Sequence, residues 1–253
     1  MKPSRTDRAW MRWGETNPYH GVLMGFETSQ MADQARREAF FHTGHNHITD
    51  VISRVNEAMG GFKNKDSALD FGCGVGRLLG PLAAEFRRVV GVDISPDMRA
   101  LARKNTEMYP GVHLEASLAP LMLRNERFDL VHTIIVLQHI NPAQGMNIIE
   151  ELLDLVRVGG VFHLHFTIGD SRHTRRMLNW FRYRCPPLHW GYNIVRGRPW
   201  TEPTTEMHEY DIHSVLMLAA NKGARDVLVY PSDEAGHRGV TLVGRICRPD
   251  DRI

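Results

Sequence analysis

The ten residues ALDFGCGVGR, at positions 68–77, decide the fold of this chain. An apolar run ends in Asp70, glycines follow at alternate positions up to Gly76, and residues 77–84 have helical spacing. The pattern predicts a strand, a tight turn and a helix. Glycine lets a backbone turn sharply and lets a ligand lie close to it. Because a helix N-terminus favours a negative group, the turn is predicted to bind an anionic part of a ligand.

The spacing of the glycines narrows the choice of ligand. A dinucleotide-binding turn follows the pattern G-x-G-x-x-G, but here Arg77 stands at the third glycine position. Asp70 would also repel a pyrophosphate, so a nicotinamide-dependent oxidoreductase is the disfavoured alternative. A ligand with both an ammonium and a carboxylate fits better, since Asp70 can pair with the ammonium and backbone N–H groups can bind the carboxylate. S-adenosylmethionine (SAM) is such a ligand.

Residues 62–168 resemble the class I SAM-dependent methyltransferases of the small-molecule type. Besides the glycine turn, FDLVHTIIVLQHI at 128–140 and VRVGGVFHLHF at 156–166 are similar to the family's fourth-strand and fifth-strand motifs. The resemblance implies an α/β, Rossmann-like fold, with a seven-stranded, mostly parallel sheet, helices on both faces and an antiparallel last strand. It also implies SAM as the cofactor and S-adenosylhomocysteine (SAH) as its product.

Hydrophobic periodicity and turn residues predict the separate elements. Residues 1–27 are predicted to be irregular, and a helix that ends at Gly60 follows. Proline in a first helical turn marks helix starts at Ser95 and Asn141. No regular element is predicted between 169 and 207, and a helix and two strands close the chain. The predicted strands are 67–71, 89–93, 112–116, 128–135, 161–167, 226–230 and 240–246.

The length of 253 residues suits one large methyltransferase domain, which we divide into four parts. These are an N-terminal cap and helix (1–61), a SAM-binding core (62–168), an inserted lid or substrate region (169–209), and a C-terminal helix with closing strands (210–253).

Composition bounds the partners and the location. The net charge of +2 is too small to imply a nucleic acid or another polyanion. No segment approaches the roughly 20 apolar residues of a membrane span, and the polar start MKPSRTDRAW predicts no signal peptide. The separated Cys73, Cys185 and Cys247 argue against a disulfide framework and a zinc site, so no metal is expected. These features predict a cytoplasmic protein.

Positions that match the family motifs imply contacts with the cofactor. Asp93 would accept hydrogen bonds from the ribose hydroxyls, although the dipole of the next helix also favours an acid there. Ile94 and Met98 would contact adenine, and Met98 equally suits core packing. Ser117 stands where the family often has an acid, and Leu118 offers its N–H. The implied set is Asp70, Gly72, Cys73, Gly74, Gly76, Asp93, Ile94, Met98, Ser117 and Leu118.

Three further positions carry alternatives. Arg77 either reaches the methionyl carboxylate or is a solvated residue of the first helical turn, and the second interpretation is favoured. Trp13 and Tyr19 lie in WGETNPYHGVL, which resembles an opening in some small-molecule methyltransferases; they either line the pocket or pack at the sheet edge. Cys73 is interpreted as a small residue that fits the turn rather than as a catalytic thiol.

The chemistry of methyl transfer asks mainly for positioning of the acceptor, together with a base for an oxygen or nitrogen nucleophile. His139 follows the fourth strand and is the candidate catalytic residue, with a pKa suited to a base. Its alternative role is to hold the loop. His163 and His165 alternate along the fifth strand and so share one face, where hydrogen-bonded structural histidines are expected.

The region 170–200 mixes arginine with aromatic residues, and three interpretations stay open. It forms a lid that clamps an acidic or aromatic small molecule, a surface for RNA, or a solvated cap. The sequence VLQH at 136–139 lacks the Asn/Asp-Pro-Pro-aromatic motif of adenine-amino methyltransferases, which disfavours nucleic acid. We therefore expect methyl transfer to an oxygen or nitrogen of a small, acidic or aromatic molecule. An RNA methyltransferase and a non-catalytic SAM-binding protein are the alternatives.

Overall fold

The computed structural model describes residues 4–170, 186–195, 206–234 and 237–247. The strands of these ranges form one sheet in the order β3-β2-β1-β4-β5-β7-β6. β7 runs antiparallel to both of its neighbours, whereas β1 to β5 are parallel, as the resemblance implies. The strands are β1 Ser67–Phe71, β2 Arg88–Val92, β3 Val112–Glu115, β4 Phe128–Thr133, β5 Val156–Asp170, β6 Ala224–Glu234 and β7 His237–Ile246.

Helices cover both faces of the sheet, so that successive strand residues are buried on opposite sides. Leu69 packs with apolar residues of α7 and α9, and its neighbour Ala68 packs with those of α3 and α4. The predicted two-sided fold is therefore confirmed. The helices are α1 Arg5–Thr16, α2 Pro18–Val22, α3 Gln34–Met59, α4 Leu79–Glu85, α5 Pro96–Asn105, α6 Ala119–Leu123, α7 Pro142–Asp154, α8 Pro186–Val195 and α9 Ile212–Asn221.

The predicted helix boundaries at the cap residues are confirmed. The Ser95 side chain accepts a hydrogen bond from the Met98 N–H, and Asn141 accepts one from Ala143 at the start of α7. α3 ends where Gly60 takes a left-handed conformation with φ of 69°. That conformation favours glycine over any residue with a Cβ.

The prediction that residues 1–27 are irregular is wrong, since α1 and α2 occupy most of them. α1 begins at a capping box, in which the Asp7 N–H donates to Ser4 Oγ and the Ser4 N–H donates to Asp7 Oδ2. α1 then packs against α5, which buries Trp13. Short helices gain most of their stability from such packing, which periodicity alone does not capture.

Other segments differ from the prediction as well: β4 ends two residues earlier, β6 and β7 are longer, and α6 was not predicted. α8 lies within the region for which no regular element is predicted. β5 begins five residues earlier than predicted, because Val156 pairs with Phe128 before the chain turns at Gly159 (φ 85°) and resumes pairing at Val161. No helix in the described ranges is long and apolar enough to span a bilayer. Most of the arginine and aromatic residues of the region 170–200 lie outside the described residues. They are Arg172, Arg175, Arg176, Trp180, Phe181, Arg182, Tyr183, Arg184, Arg196, Arg198 and Trp200.

Candidate functional site

A cavity of about 470 Å³ lies at the carboxyl ends of the parallel strands, where ligands of such sheets bind. Its wall combines the turn after β1, the residues after β2 and β4, and parts of α1 and α7. Among the predicted cofactor residues, those that line it are Asp70, Gly72, Cys73, Gly74, Asp93, Ile94, Met98, Ser117 and Leu118.

The turn after β1 folds against the end of β2. Gly72 and Gly74 have φ values of 78° and 53°, which glycine adopts without strain. The N–H groups of Gly72 and Cys73 donate to the Val92 carbonyl at 2.7 and 3.0 Å. The Gly74 N–H donates to Asp93 Oδ2 at 2.9 Å. Acceptors at the end of β2 therefore already engage these three N–H groups, and the contact of the turn's backbone with a ligand carboxylate stays a prediction.

Gly76 faces helix α5 rather than the cavity. A Cβ at this position would lie 3.2 Å from the Ala102 Cα, and its φ of 85° is again in the left-handed region. This glycine permits the close approach of α5 to the turn. The structure therefore places Gly76 against α5 and not at the wall of the cavity.

Asp93 joins the turn to α5 through both of its carboxylate oxygens. Oδ2 accepts from Gly74, and Oδ1 accepts from the Ser95 N–H at 2.8 Å. Burial raises the pKa of this carboxyl, although both backbone N–H groups act in the opposite direction. The result is an acid held rigidly at the cavity wall, with lone pairs left for further hydrogen bonds.

Asp70 is 2% exposed and has a partner that sequence reasoning missed. Its Oδ1 lies 2.8 Å from His132 Nδ1 on the adjacent strand β4. The available signal was a histidine inside FDLVHT, a strand that the alternation of strands and helices predicts to be covered on both faces. The pairing itself depends on the register between β1 and β4, which places Asp70 beside His132.

The thiol of Cys73 is buried at the cavity wall. Burial, together with the charges of Asp93 and Asp70, raises its pKa well above the ordinary value. A nucleophilic cysteine needs a lowered pKa, so the geometry favours the interpretation of Cys73 as a small residue that fits the turn.

Arg77 is buried, whereas the sequence analysis favoured a solvated position for it in the first helical turn. It is 6% exposed and lines the cavity, and its Nη1 donates to Thr43 Oγ1 at 3.3 Å. α3 passes directly over it, because Gly44 lacks a Cβ that would collide with the Arg77 carbonyl. The tertiary position of α3 therefore encloses this guanidinium.

The N-terminal segment covers the cavity, but with different residues from those expected. Thr6 and Trp10 of α1 and Val22 of α2 line the wall. Trp13 and Tyr19 lie in the core beneath them, 6% and 4% exposed, together with Val75 and Met98. Of the two alternatives for Trp13 and Tyr19, packing is therefore the one that the structure supports.

His139 lies behind the cavity wall, in a turn after β4. It is 7% exposed, its Nδ1 is 2.9 Å from the Glu206 carbonyl oxygen, and its ring is 4.9 Å from that of Trp10. The Tyr210 hydroxyl lies within 2.9 Å of the Leu137 carbonyl in the same turn. These contacts match the loop-holding alternative, and the catalytic role of His139 stays a prediction.

His163 and His165 share one sheet face, as predicted, but only His165 is fully hydrogen-bonded among the described residues. Its ring nitrogens lie 3.3 Å from the Ile135 N–H nitrogen and 3.1 Å from Ser232 Oγ. His163 is 4% exposed, and its Nδ1 has no hydrogen-bond partner in the described chain.

The chain resembles known methyltransferases in sequence. Residues 68–160 match a family model described as a methyltransferase domain. An uncharacterised methyltransferase from Synechocystis is 31% identical over 148 residues, which cover 58% of this chain and 63% of that protein. One from Schizosaccharomyces pombe is 39% identical over 119 residues, with 45% and 42% covered. This chain spans less than two thirds of the length of either relative.

Solved structures share the fold at low sequence identity. Magnesium protoporphyrin IX methyltransferase from Synechocystis with bound SAM has a TM-score of 0.59 at 16% identity, covering 96% of this chain and 98% of that one. The N-methyltransferase NodS from Bradyrhizobium japonicum with bound SAH has a TM-score of 0.58 at 15% identity, covering 97% and 100%. Taken with the sheet order, these likenesses show that the chain shares the fold of these methyltransferases, and residues 68–160 carry the match to the methyltransferase domain.

Proposed function

We propose that the protein transfers a methyl group from SAM to an oxygen or nitrogen of a small molecule. The observation that carries this proposal is one cavity whose wall brings together the glycine turn, Asp70, Asp93 and Arg77. Bound SAM would supply a methyl group already activated on a sulfonium, so the protein's task is to hold the cofactor and orient the acceptor.

The polar groups of the wall fit the parts of SAM one by one. Asp70 suits the ammonium, and the enclosed guanidinium of Arg77 suits the carboxylate. Asp93, fixed by two backbone N–H groups, suits the ribose hydroxyls. The apolar side chains of Ile94 and Met98 suit an adenine ring. With Gly72, Cys73 and Gly74 donating within the protein, Arg77 takes the role that their N–H groups were expected to play.

The wall beyond these groups favours a small acceptor. Trp10 covers the cavity from α1, and Gln144 and Asn147 of α7 add amide groups that can orient a polar molecule. Two similar proteins carry names with small-molecule acceptors, namely magnesium protoporphyrin IX methyltransferase and a ubiquinone biosynthesis O-methyltransferase from Methylobacterium. His139 is proposed as the base: its Nδ1–H donates to the Glu206 carbonyl, which leaves Nε2 unprotonated, and an acceptor would have to displace the Gln138 amide, 3.3 Å from that nitrogen, to reach it.

Calorimetric titration with SAM, SAH and adenosine tests the cofactor site. We expect binding of all three to weaken by about 10- to 100-fold in Asp93→Ala, since hydrogen bonds to a charged group contribute about 1.5–3 kcal/mol. Asp97→Ala is the matched control, because Asp97 is an exposed acid in the first turn of the same helix. Equal affinity in the Asp93 variant and the wild type would contradict the proposed ribose contact.

Arg77→Gln separates the two ends of the cofactor in the same assay. SAM and SAH carry the methionyl carboxylate and should bind at least tenfold more weakly, because a charge-assisted hydrogen bond is lost. Adenosine lacks that carboxylate and should bind as it does to the wild type. Equal weakening of all three ligands would instead indicate that the substitution has disturbed the fold, which the thermal midpoint would reveal.

Transfer of a labelled methyl group from SAM distinguishes the classes of function. We expect label in acidic or aromatic small molecules with a free hydroxyl or amine. Labelling of RNA alone would favour the RNA methyltransferase. Tight SAM binding with no transfer to any acceptor would favour the non-catalytic alternative.

A further inference from the structure

A row of polar side chains crosses three adjacent strands on the sheet face that α3 covers. The register places Asp70 beside His132 and His132 beside His163. All three side chains are at most 4% exposed, and α3 adds His47 from above. Such a row is unusual, because neighbouring positions on this face, including Leu130, belong to an apolar core.

The three imidazoles converge on one point. His132 Nε2 lies 2.9 Å from His47 Nε2, and the rings of His132 and His163 stack with centroids 4.6 Å apart. One ring nitrogen from each of His47, His132 and His163 lies within 4.8 Å of the others. We propose that these three histidines bind one divalent transition-metal ion, for which zinc is the reference.

The spacing is close to that of a real site. Zinc binds imidazole nitrogen at about 2.0–2.1 Å, so two ligands at a tetrahedral angle lie about 3.3 Å apart. The His47 and His132 nitrogens, 2.9 Å apart, must separate slightly, and the His163 nitrogen, within 4.8 Å of the other two, must approach by up to about 1.5 Å. The fourth position of the ion is left for water.

Two observations favour a metal over a network of hydrogen bonds. Metal-binding histidines commonly donate their second N–H to a carboxylate, and His132 Nδ1 has this contact with Asp70 at 2.8 Å. His163 Nδ1 is buried with no hydrogen-bond partner among the described residues, a costly state that coordination would relieve.

Charge around the cluster selects the kind of ion. Burial lowers the pKa of His47 and of His163, and neutral imidazole is the form that binds metals. Arg77 and Arg54 act on His47 with positive charge; Asp50 pairs with Arg54 at 2.6 Å, and Asp70 is the carboxylate that contacts the cluster through His132. This environment disfavours calcium or magnesium, which need several oxygen ligands, and favours ions that prefer imidazole.

The separated cysteines led us to expect no metal, whereas this proposed site is built from histidines. The proposal does not depend on the proposed function. The ion would join α3 to β4 and β5 and would fix the ring of His132, which in turn orients Asp70 at the cavity wall. Its role is structural, so its test needs no substrate.

The test uses the full chain, purified without a polyhistidine tag and stripped of metal with a chelator. We expect mass spectrometry to find one zinc per chain after reconstitution, and cobalt to give the visible absorption of a low-coordinate site. Zinc at about a hundredfold excess over its Kd should raise the thermal midpoint by about 5–10 °C. His47→Gln should lose the zinc and the shift, whereas His45→Gln, an exposed position on the same helix, should keep both.

His163→Phe keeps the proposal falsifiable if the His47 variant folds poorly. If His163 binds the ion, the His163→Phe variant loses zinc but still fills the core with a buried ring. Wild-type protein that binds far less than one zinc, or a His47→Gln variant that zinc stabilises as much as the wild type, overturns the proposal. So does a His163→Phe variant that retains the full zinc content.

Discussion

Replacing Phe40 with alanine should lower the free energy of unfolding by about 3–5 kcal/mol, the usual cost of removing a fully buried aromatic ring. Phe40 is 0% exposed at the centre of the contact between α3 and the N-terminal segment. Its ring meets those of Tyr19, Phe26 and Phe41 edge-on, with centroids 5.1–5.4 Å apart. Each edge-to-face pair adds to the free energy that burial of the ring contributes. Removing the ring loses these pairs and also leaves a cavity between α3 and the N-terminal segment.

Urea denaturation at 25 °C measures this loss. Phe41→Ala is the matched control, since the adjacent ring is only partly buried and should cost less than half as much. A Phe40→Ala variant within 1 kcal/mol of the wild type would show that the N-terminal segment does not pack as described.

Asp129→Ala should cost about 3 kcal/mol, because it leaves two backbone N–H groups at the start of β1 and the half-buried Arg157 without their shared acceptor. Asp129 is 2% exposed at the start of β4. Its Oδ2 accepts the N–H groups of Asp66 and Ser67 at 2.9 Å, where β1 begins, and its Oδ1 accepts from Arg157 Nη1 at 2.9 Å. One carboxylate thus joins the starts of β1, β4 and β5.

Two comparisons separate the causes in the same denaturation experiment. Asp129→Asn keeps an oxygen for the backbone N–H groups but loses the charge, so we expect about half the effect. Asp66→Ala removes an exposed acid that also pairs with Arg157, and it should cost less than about 1 kcal/mol. If Asp66→Ala lowers the free energy of unfolding as much as Asp129→Ala does, the contacts of Asp129 do not explain its effect.

Local chemistry made much of the fold predictable. Ser95 and Asn141 are cap residues whose side chains act within three positions along the chain, and Gly60 ends α3 for a reason internal to its backbone. β1 was predictable because an apolar run stops at a glycine turn. The capping pattern from Ser4 to Asp7 was also present in the sequence, but the stability of α1 comes from distant packing on α5.

The site was less predictable because its polar groups depend on long-range contacts. The approach of α3 encloses Arg77, and the end of β2 engages the N–H groups of Gly72 and Cys73. Alternation placed His163 and His165 on one face, but nothing local could show that register would bring His132 beside His163. Most of the cofactor residues that the resemblance implied therefore line the cavity, and tertiary structure decided their partners.

The cap formed by α1 and α2 contributes to the cavity wall from outside the matched methyltransferase domain. Thr6, Trp10 and Val22 belong to the cavity wall, yet they precede the matched methyltransferase domain at 68–160 by more than forty residues. They contribute no strand to the sheet. Under the proposed function, substitutions in α1 and α2 are the means to change which acceptors enter the cavity while leaving the glycine turn, Asp70 and Asp93 untouched.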